Sequence, residues 1–162
     1  VVVGQKPPHF EPAWETMPMG AKSCGKDVEV TFSITGDYSD ANKAREAALA
    51  LIADGADVLF AMTNEAQAGM FSAAEDKGVW AIGLHSDQSA EWPKTIIATV
   101  DENPSLLTAE AASGNMTAGM LRYITFANGM QVIYSSLIPA DILAELQKIQ
   151  QDLADDKIEL GK

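Results

Sequence analysis

The chain contains one cysteine, Cys24, and two histidines, His9 and His85. A lone thiol excludes an internal disulfide and a thiolate-rich metal cage, and it leaves the redox compartment open, because many exported proteins also lack bridges. A buried, inert side chain is the ordinary state of such a cysteine. Basic residues are scarce: 11 Lys and Arg stand against 23 Asp and Glu, for a formal net charge of −12. The attraction that starts most binding to DNA, RNA and anionic membranes becomes repulsion here, so nucleic acid is not an expected partner. Long apolar runs are missing as well. The longest, such as Ala47 to Ala53, stop well short of the ~20 residues that a membrane-spanning helix needs. No Gly-x-Ser-x-Gly elbow, Walker phosphate loop, Gly-x-Gly-x-x-Gly turn after the first strand or His-Glu-x-x-His pair occurs. Two histidines among carboxylates have no spacing that selects a metal. Catalysis, a metal and a cofactor are therefore not expected.

Against these absences stands a chain of 162 residues, 47% of them hydrophobic, enough to bury a single core. Short β-branched or aromatic runs alternate with helical periodicity, the pattern of βαβ units and a parallel sheet. The predicted strands are Val1–Gly4, Val28–Ile34, Asp57–Met62, Val79–Leu84, Thr95–Val100 and, at an edge, Gly129–Tyr134. Their apolar residues, Phe60 and Trp80 included, are expected in the core, buried on both faces. Ala44, Ala47, Ala48, Leu51 and Ile52 recur at helical spacing, with Ser39 or Asp40 placed to cap and Gly55 to stop. Ala66, Met70, Ala73 and Ala74 give the next helix, opened by Thr63 or Asn64 and closed by Gly78. Asn103-Pro104 begins another, and the residues leave open whether it continues through Gly114 and Gly119. Ile142, Leu146, Ile149 and Leu153 form the packing stripe of a terminal helix starting near Pro139, with Asp152, Asp155 and Asp156 facing water. Between Pro7 and Pro18 the prolines predict an irregular or shortened helix. The expected architecture is α/β: three αβα layers around a mainly parallel, doubly wound sheet. The opening run Val1-Val2-Val3-Gly4, with no initiator Met before it, reads as a processed, truncated or dissected chain.

In an open parallel sheet, ligands sit outside the carboxyl ends of the strands. The residues that follow the strands here are Gln5, Lys6, His9 and Phe10; Gly36, Asp37, Tyr38, Ser39 and Asp40; Thr63 and Asn64; His85, Ser86, Asp87 and Gln88; and Asp101, Glu102 and Asn103. Ser39, Asp40, Thr63, Asn64 and Asn103 are equally suited to capping the helices they precede. His85-Ser86-Asp87-Gln88 sets a carboxylate beside an amide, a pairing fit for neighbouring hydroxyls. Phe10 is the candidate for stacking on a flat heterocycle. The candidate ligand contacts are Asp87, Gln88, His85, Phe10, Asp37, Asn64 and Asn103.

Three stretches carry a family resemblance: Asp40-x-x-Lys43-x-x-Glu46-Ala47-Ala48-x-x-Leu51-Ile52-x-x-Gly55-Ala56-Asp57-Val58, Ala73-Ala74-Glu75-x-Lys77-Gly78-Val79, and Ile82-Gly83-x-x-Ser86-Asp87-Gln88-Ser89. In their order and spacing they resemble the basic membrane protein family of ABC-transporter solute receptors, lipoproteins of the type I periplasmic-binding fold. The resemblance implies two α/β lobes closing on a purine nucleoside or nucleobase, an ABC permease as partner, and an extracytoplasmic, periplasmic or lipid-anchored location. This chain corresponds to the second lobe and closing helix, a single domain over 1–162 with most of the first lobe absent, and a homodimer through the exposed interlobe face is a further expectation. The resemblance assigns ribose hydroxyls to Asp87, a helix-opening glycine to Gly69 and the base to Phe10. Where nucleoside-binding members carry a lysine, this chain has Asp101-Glu102-Asn103. A sensor with the same fold is the alternative reading, and a hydrolase using His85 and Asp87 the third.

Overall fold

In a computed structural model of the chain, residues 1–6, 11–23, 25, 27–116, 125–127 and 129–158 are described. The elements run β1 Val2–Val3, α1 Glu11–Ser23, β2 Ser33–Ile34, α2 Ala41–Ala53, β3 Val58–Met62, a 3₁₀ turn Asn64–Ala66, α3 Gln67–Lys77, β4 Trp80–His85, β5 Ile96–Glu102, α4 Ser105–Ala112, β6 Met130–Tyr134 and α5 Ala140–Ala154. One six-stranded sheet has the order β2-β1-β3-β4-β5-β6. All neighbours are parallel except β5 and β6. The chain steps from β1 out to β2 and then back past β1 to β3. Right-handed crossovers therefore set α1 on the opposite face from α2 and α3, which gives the doubly wound α/β layering.

The helix signals hold locally for chemical reasons. Asp40 accepts from the amides of Asn42 (3.0 Å) and Lys43 (3.2 Å), so it caps α2. α3 ends on Gly78 in the left-handed conformation, φ 69°, which a glycine adopts without a Cβ penalty. Thr63 makes no capping bond, and the Asn64 side chain turns to His85 instead. Between the prolines the chain forms an unbroken helix of 13 residues. Pro12 sits in its first turn, where the missing amide hydrogen would have been unpaired anyway, and Pro18 removes only one bond.

Two other expectations need correction, and the structure sets one helix end that the sequence leaves open. The second strand covers Ser33–Ile34 alone, because β1, beside which it lies, pairs for only two residues. α4 stops at Ser113 and Gly114, whose φ is 80°, before reaching Gly119, which lies outside the described residues. The half-buried stripe of α5 is Leu143, Leu146, Gln150 and Leu153, while Ile142 and Ile149 are exposed. The polar Gln150 belongs to the inner face because its Oε1 accepts from the Val132 amide at 3.1 Å, so a count of apolar residues misplaces the stripe.

The fully buried core lies on one side of the sheet, where Val2, Leu59, Ala61, Ala81 and Ile96 meet Ala44, Ala48 and Leu51 of α2 and Met70, Phe71, Ala73 and Ala74 of α3. The small residues let α2 and α3 approach closely. Gly69 marks the contact: a Cβ there would lie 2.7 Å from the Ala41 carbonyl carbon and nearer still to its oxygen. The opposite face is barer at its amino end. Val58 and Trp80, paired across β3 and β4, are 40% and 43% exposed, and Phe60 is half-buried. Trp80 is thus not a core residue, because the covering of that face does not reach the strand starts.

Candidate functional site at the carboxyl edge of the sheet

Parallel pairing brings the ends of β1 to β5 to one edge, and a series of contacts ties the loops leaving them together. The Gln5 amide donates to the Gly36 carbonyl at 3.3 Å. The Tyr38 ring packs over Gly4, so closely that a Cβ at Gly4 would come within 2.6 and 2.8 Å of ring carbons. The Tyr38 carbonyl accepts from the Ala66 amide at 3.0 Å, and Asn64 Oδ1 lies 3.1 Å from His85 Nε2. His85 Nδ1 in turn lies 3.4 Å from Glu102 Oε2. The strand order reverses between β1 and β3, and the crevice that such a switch point opens at the carboxyl edge is where doubly wound sheets hold ligands.

Asn64 and His85 share another property. Their φ values are 47° and 77°, and together with Asp156 they are the only non-glycine residues among those described with positive φ. Such backbones cost roughly 1–3 kcal/mol each and collect where a site fixes them. The imidazole is held between two polar side chains: Nδ1 faces the Glu102 carboxylate, an acceptor, while the Asn64 amide can turn either its oxygen as acceptor or its nitrogen as donor to Nε2. His85 remains 47% exposed in its side chain, so the bridged ring still faces solvent.

The remaining candidates are placed as follows. Asp37 turns onto its own loop, accepting from the Ser39 amide (2.9 Å) and hydroxyl (3.0 Å) and the Asp40 amide (3.3 Å), with Lys43 Nζ at 3.4 Å. The Ser39 bonds, first from its amide and then from its hydroxyl, lower the Asp37 pKa from 3.8 to about 2. Asp87 Oδ1 accepts from the Ser89 amide at 2.9 Å. The Gln88 amide oxygen is buried without a hydrogen-bond partner among the described residues, 3.0 Å from where a Cβ on Gly83 would sit. Asn103 Oδ1 accepts from the Ser105 amide at 3.1 Å and also meets its hydroxyl, which opens α4. Asp101 accepts from Gln131 on β6 at 2.9 Å. Phe10, His9 and Cys24 lie outside the described residues.

Glu102 belongs with the central cluster although it was not among the candidate contacts. The sequence places it just past the predicted strand, whereas β5 runs on through Glu102, and the register shift between β4 and β5 that sets His85 against Asp101 has no local sequence signal. Thr63 adds a buried hydroxyl without a partner among the described residues at the end of β3. No group of three or more His, Cys, Asp or Glu among the described residues is arranged to hold a metal.

A separate cleft of about 750 Å³ opens at the opposite, amino-terminal edge, lined by Val1, Asp27–Thr31, Leu51, Asp54–Val58 and Phe60. Its lining mixes apolar side chains with the carboxylates of Asp27, Glu29, Asp54 and Asp57.

The doubly wound α/β fold is shared with solved structures: an ABC-transporter solute-binding protein from Aeropyrum pernix (TM-score 0.76, 16% identity, 98% of this chain and 55% of that one) and a protein described as a transcriptional activator of the comK gene from Bacillus halodurans (TM-score 0.79, 22% identity, 93% and 54%). A family model described as ABC transporter substrate-binding protein PnrA-like, Bmp, matches residues 1–149, and the chain belongs to this family. Among its relatives are Basic membrane protein B of Borreliella burgdorferi, 31% identical over 102 residues (59% of this chain, 30% of the relative), and the ABC transporter nucleoside-binding protein BmpA of Lactococcus lactis, 35% identical over 77 residues (43% and 22%). The chain spans about half the length of these proteins or less.

Proposed function

We propose that this chain is the second lobe of an extracytoplasmic ABC-importer receptor and binds a small, uncharged polar solute, a purine nucleoside or nucleobase, without transforming it. The observation that carries this reading is the Asn64–His85–Glu102 cluster, two of whose members hold left-handed backbones at the carboxyl edge. Around it stand Asp37, Asp87 and Asp101, a sign of charge that disfavours phosphorylated ligands and suits hydroxyl and amine donors. The name of the Lactococcus relative supports a nucleoside in particular. A first lobe supplies the second wall of the cleft, and a permease receives the ligand. In an isolated lobe the same face is free to pair with a second copy, and light scattering is the measurement that would show such a homodimer.

One lobe presents half a site, so most of the desolvation that drives binding is missing. Calorimetry with adenosine, guanosine and adenine is expected to show binding weaker than about 100 μM by this chain. An NMR titration is expected to move the amides of Asn64, His85, Asp87 and Glu102. His85→Ala should weaken the strongest of these interactions at least about tenfold, through loss of a hydrogen bond made in a partly dry site. Sub-micromolar affinity would overturn the half-site reading. Shifts confined to the amino-terminal edge, or none at saturating nucleoside, would overturn the site.

A further inference from the structure

Neighbouring side chains of the β4–β5 loop differ in their surroundings. Asp87 is exposed, whereas Gln88 is half-buried and its Oε1 is wholly buried without a hydrogen-bond partner among the described residues. The tip of Gln88 comes to rest over Gly83. That glycine lies inside β4, opposite Thr99 of β5, and its φ is not positive, so its backbone does not call for glycine. What it supplies is space: a Cβ on Gly83 would stand 3.0 Å from Gln88 Oε1, 3.2 Å from Thr99 Oγ1 and 3.5 Å from Phe71 Cζ. A glycine in the interior of a strand weakens it and marks the close approach of another group, and here that group is the end of Gln88. The rest of the loop is drawn to the same place. The Gln88 carbonyl accepts from the amides of Glu91 (3.0 Å) and Trp92 (3.1 Å), and the Trp92 ring lies against Phe71 with 6.1 Å between centroids.

The geometry points to Gln88 as a positioning residue, a peg that seats in the gap over Gly83 and holds residues 86–92 on the sheet so that Asp87 stands at the rim. With the carboxyl edge taken as the ligand site proposed above, the solute meets Asp87 and not Gln88. The buried oxygen is out of a solute's reach while the loop is down. Having no partner, it adds no hydrogen bond to the fold either, and an apolar group of the same shape in its place is near neutral. The length and bulk of the side chain are therefore what the seat uses. Methionine, unbranched and of matching length, has both without the amide.

The test compares the chain with Gln88→Ala, which empties the seat, Gly83→Ala, which fills it with a methyl group, and Gln88→Met. Amide hydrogen exchange is read at Ser89, Glu91 and Trp92, whose amides bond within the loop, with β3 and β5 amides as the check that the sheet is kept. Affinity for adenosine and guanosine is read by NMR titration. Gln88→Ala and Gly83→Ala are each expected to speed loop exchange about fivefold or more and to weaken nucleoside binding by a similar factor. Gln88→Met should stay within about twofold of the unaltered chain in both readouts. Gly83→Ala added to Gln88→Ala should speed the loop no further, because the methyl then enters space the side chain has left. If Gly83→Ala fails the sheet check, the two Gln88 variants decide. Loss in Gln88→Met equal to that in Gln88→Ala, loop exchange unchanged in Gln88→Ala, or faster exchange with unchanged affinity would each overturn the inference. Exchange is measured without ligand, so it still decides the peg if neither nucleoside binds the unaltered chain, a result that would sink the proposed ligand instead.

Discussion

Asp37 satisfies its carboxylate within its own loop. Its pKa in the fold is about 2 against an ordinary 3.8, chiefly through the Ser39 amide and hydroxyl. The folded state binds the proton less readily than the unfolded chain. The stabilisation is therefore complete above about pH 4 and disappears as pH falls from there through 2. Asp37→Asn should flatten this part of the acid unfolding curve, leaving the slopes due to Asp152 and Asp155, whose pKa values are lowered mainly by Lys148 and Lys157 respectively. Because Asp37 is open to solvent, the difference between the two proteins should shrink as salt is added, and denaturation midpoints across pH 2 to 5 at two ionic strengths would measure it. At this scale the sequence shows only part of the site. It places Asn64, His85 and Glu102 after strands, but which of them touch depends on strand neighbours and on two left-handed backbones that no local residue pattern requires. Asn64 looked like a helix cap, and its side chain is committed to the next loop.

The elements were more legible, because periodicity reports burial directly. α2 and α3 bury Ala44, Ala48, Leu51, Met70, Ala73 and Ala74, which their spacing singles out, while Ala47 and Ile52 are only partly buried, and β6 lies at an edge as its weaker pattern implies. Errors arose where a partner outside the element decided the outcome. β2 is a strand only over the two residues that pair with β1, and α5 turned on Gln150, a polar residue whose place is fixed by the Val132 amide. Gly69 is a case in which family resemblance and packing give different reasons for one residue. The resemblance assigns it to a helix-opening segment, whereas the structure buries it in α3 against the Ala41 carbonyl. Gly69→Ala gains helix propensity of up to about 1 kcal/mol, yet the added methyl has only backbone to displace. The net effect should be a loss of about 1–3 kcal/mol, and an urea midpoint that does not fall would show that the α2–α3 contact yields more easily than its geometry implies.

Across the whole molecule the two faces of the sheet carry unequal weight. Leu59 and Val58 are adjacent in β3, yet one is wholly buried under α2 and α3 and the other is 40% exposed beside Trp80. Leu59→Ala should therefore cost about 2–5 kcal/mol, the range for a cavity in a packed core, whereas Val58→Ala should cost less than about 1 kcal/mol in this chain. Urea midpoints of the two variants measure the difference, since each loses its methyl groups from a strand position one residue from the other and the two differ mainly in their surroundings. Equal costs would mean that the face carrying Trp80 is as well covered as the face beneath α2 and α3.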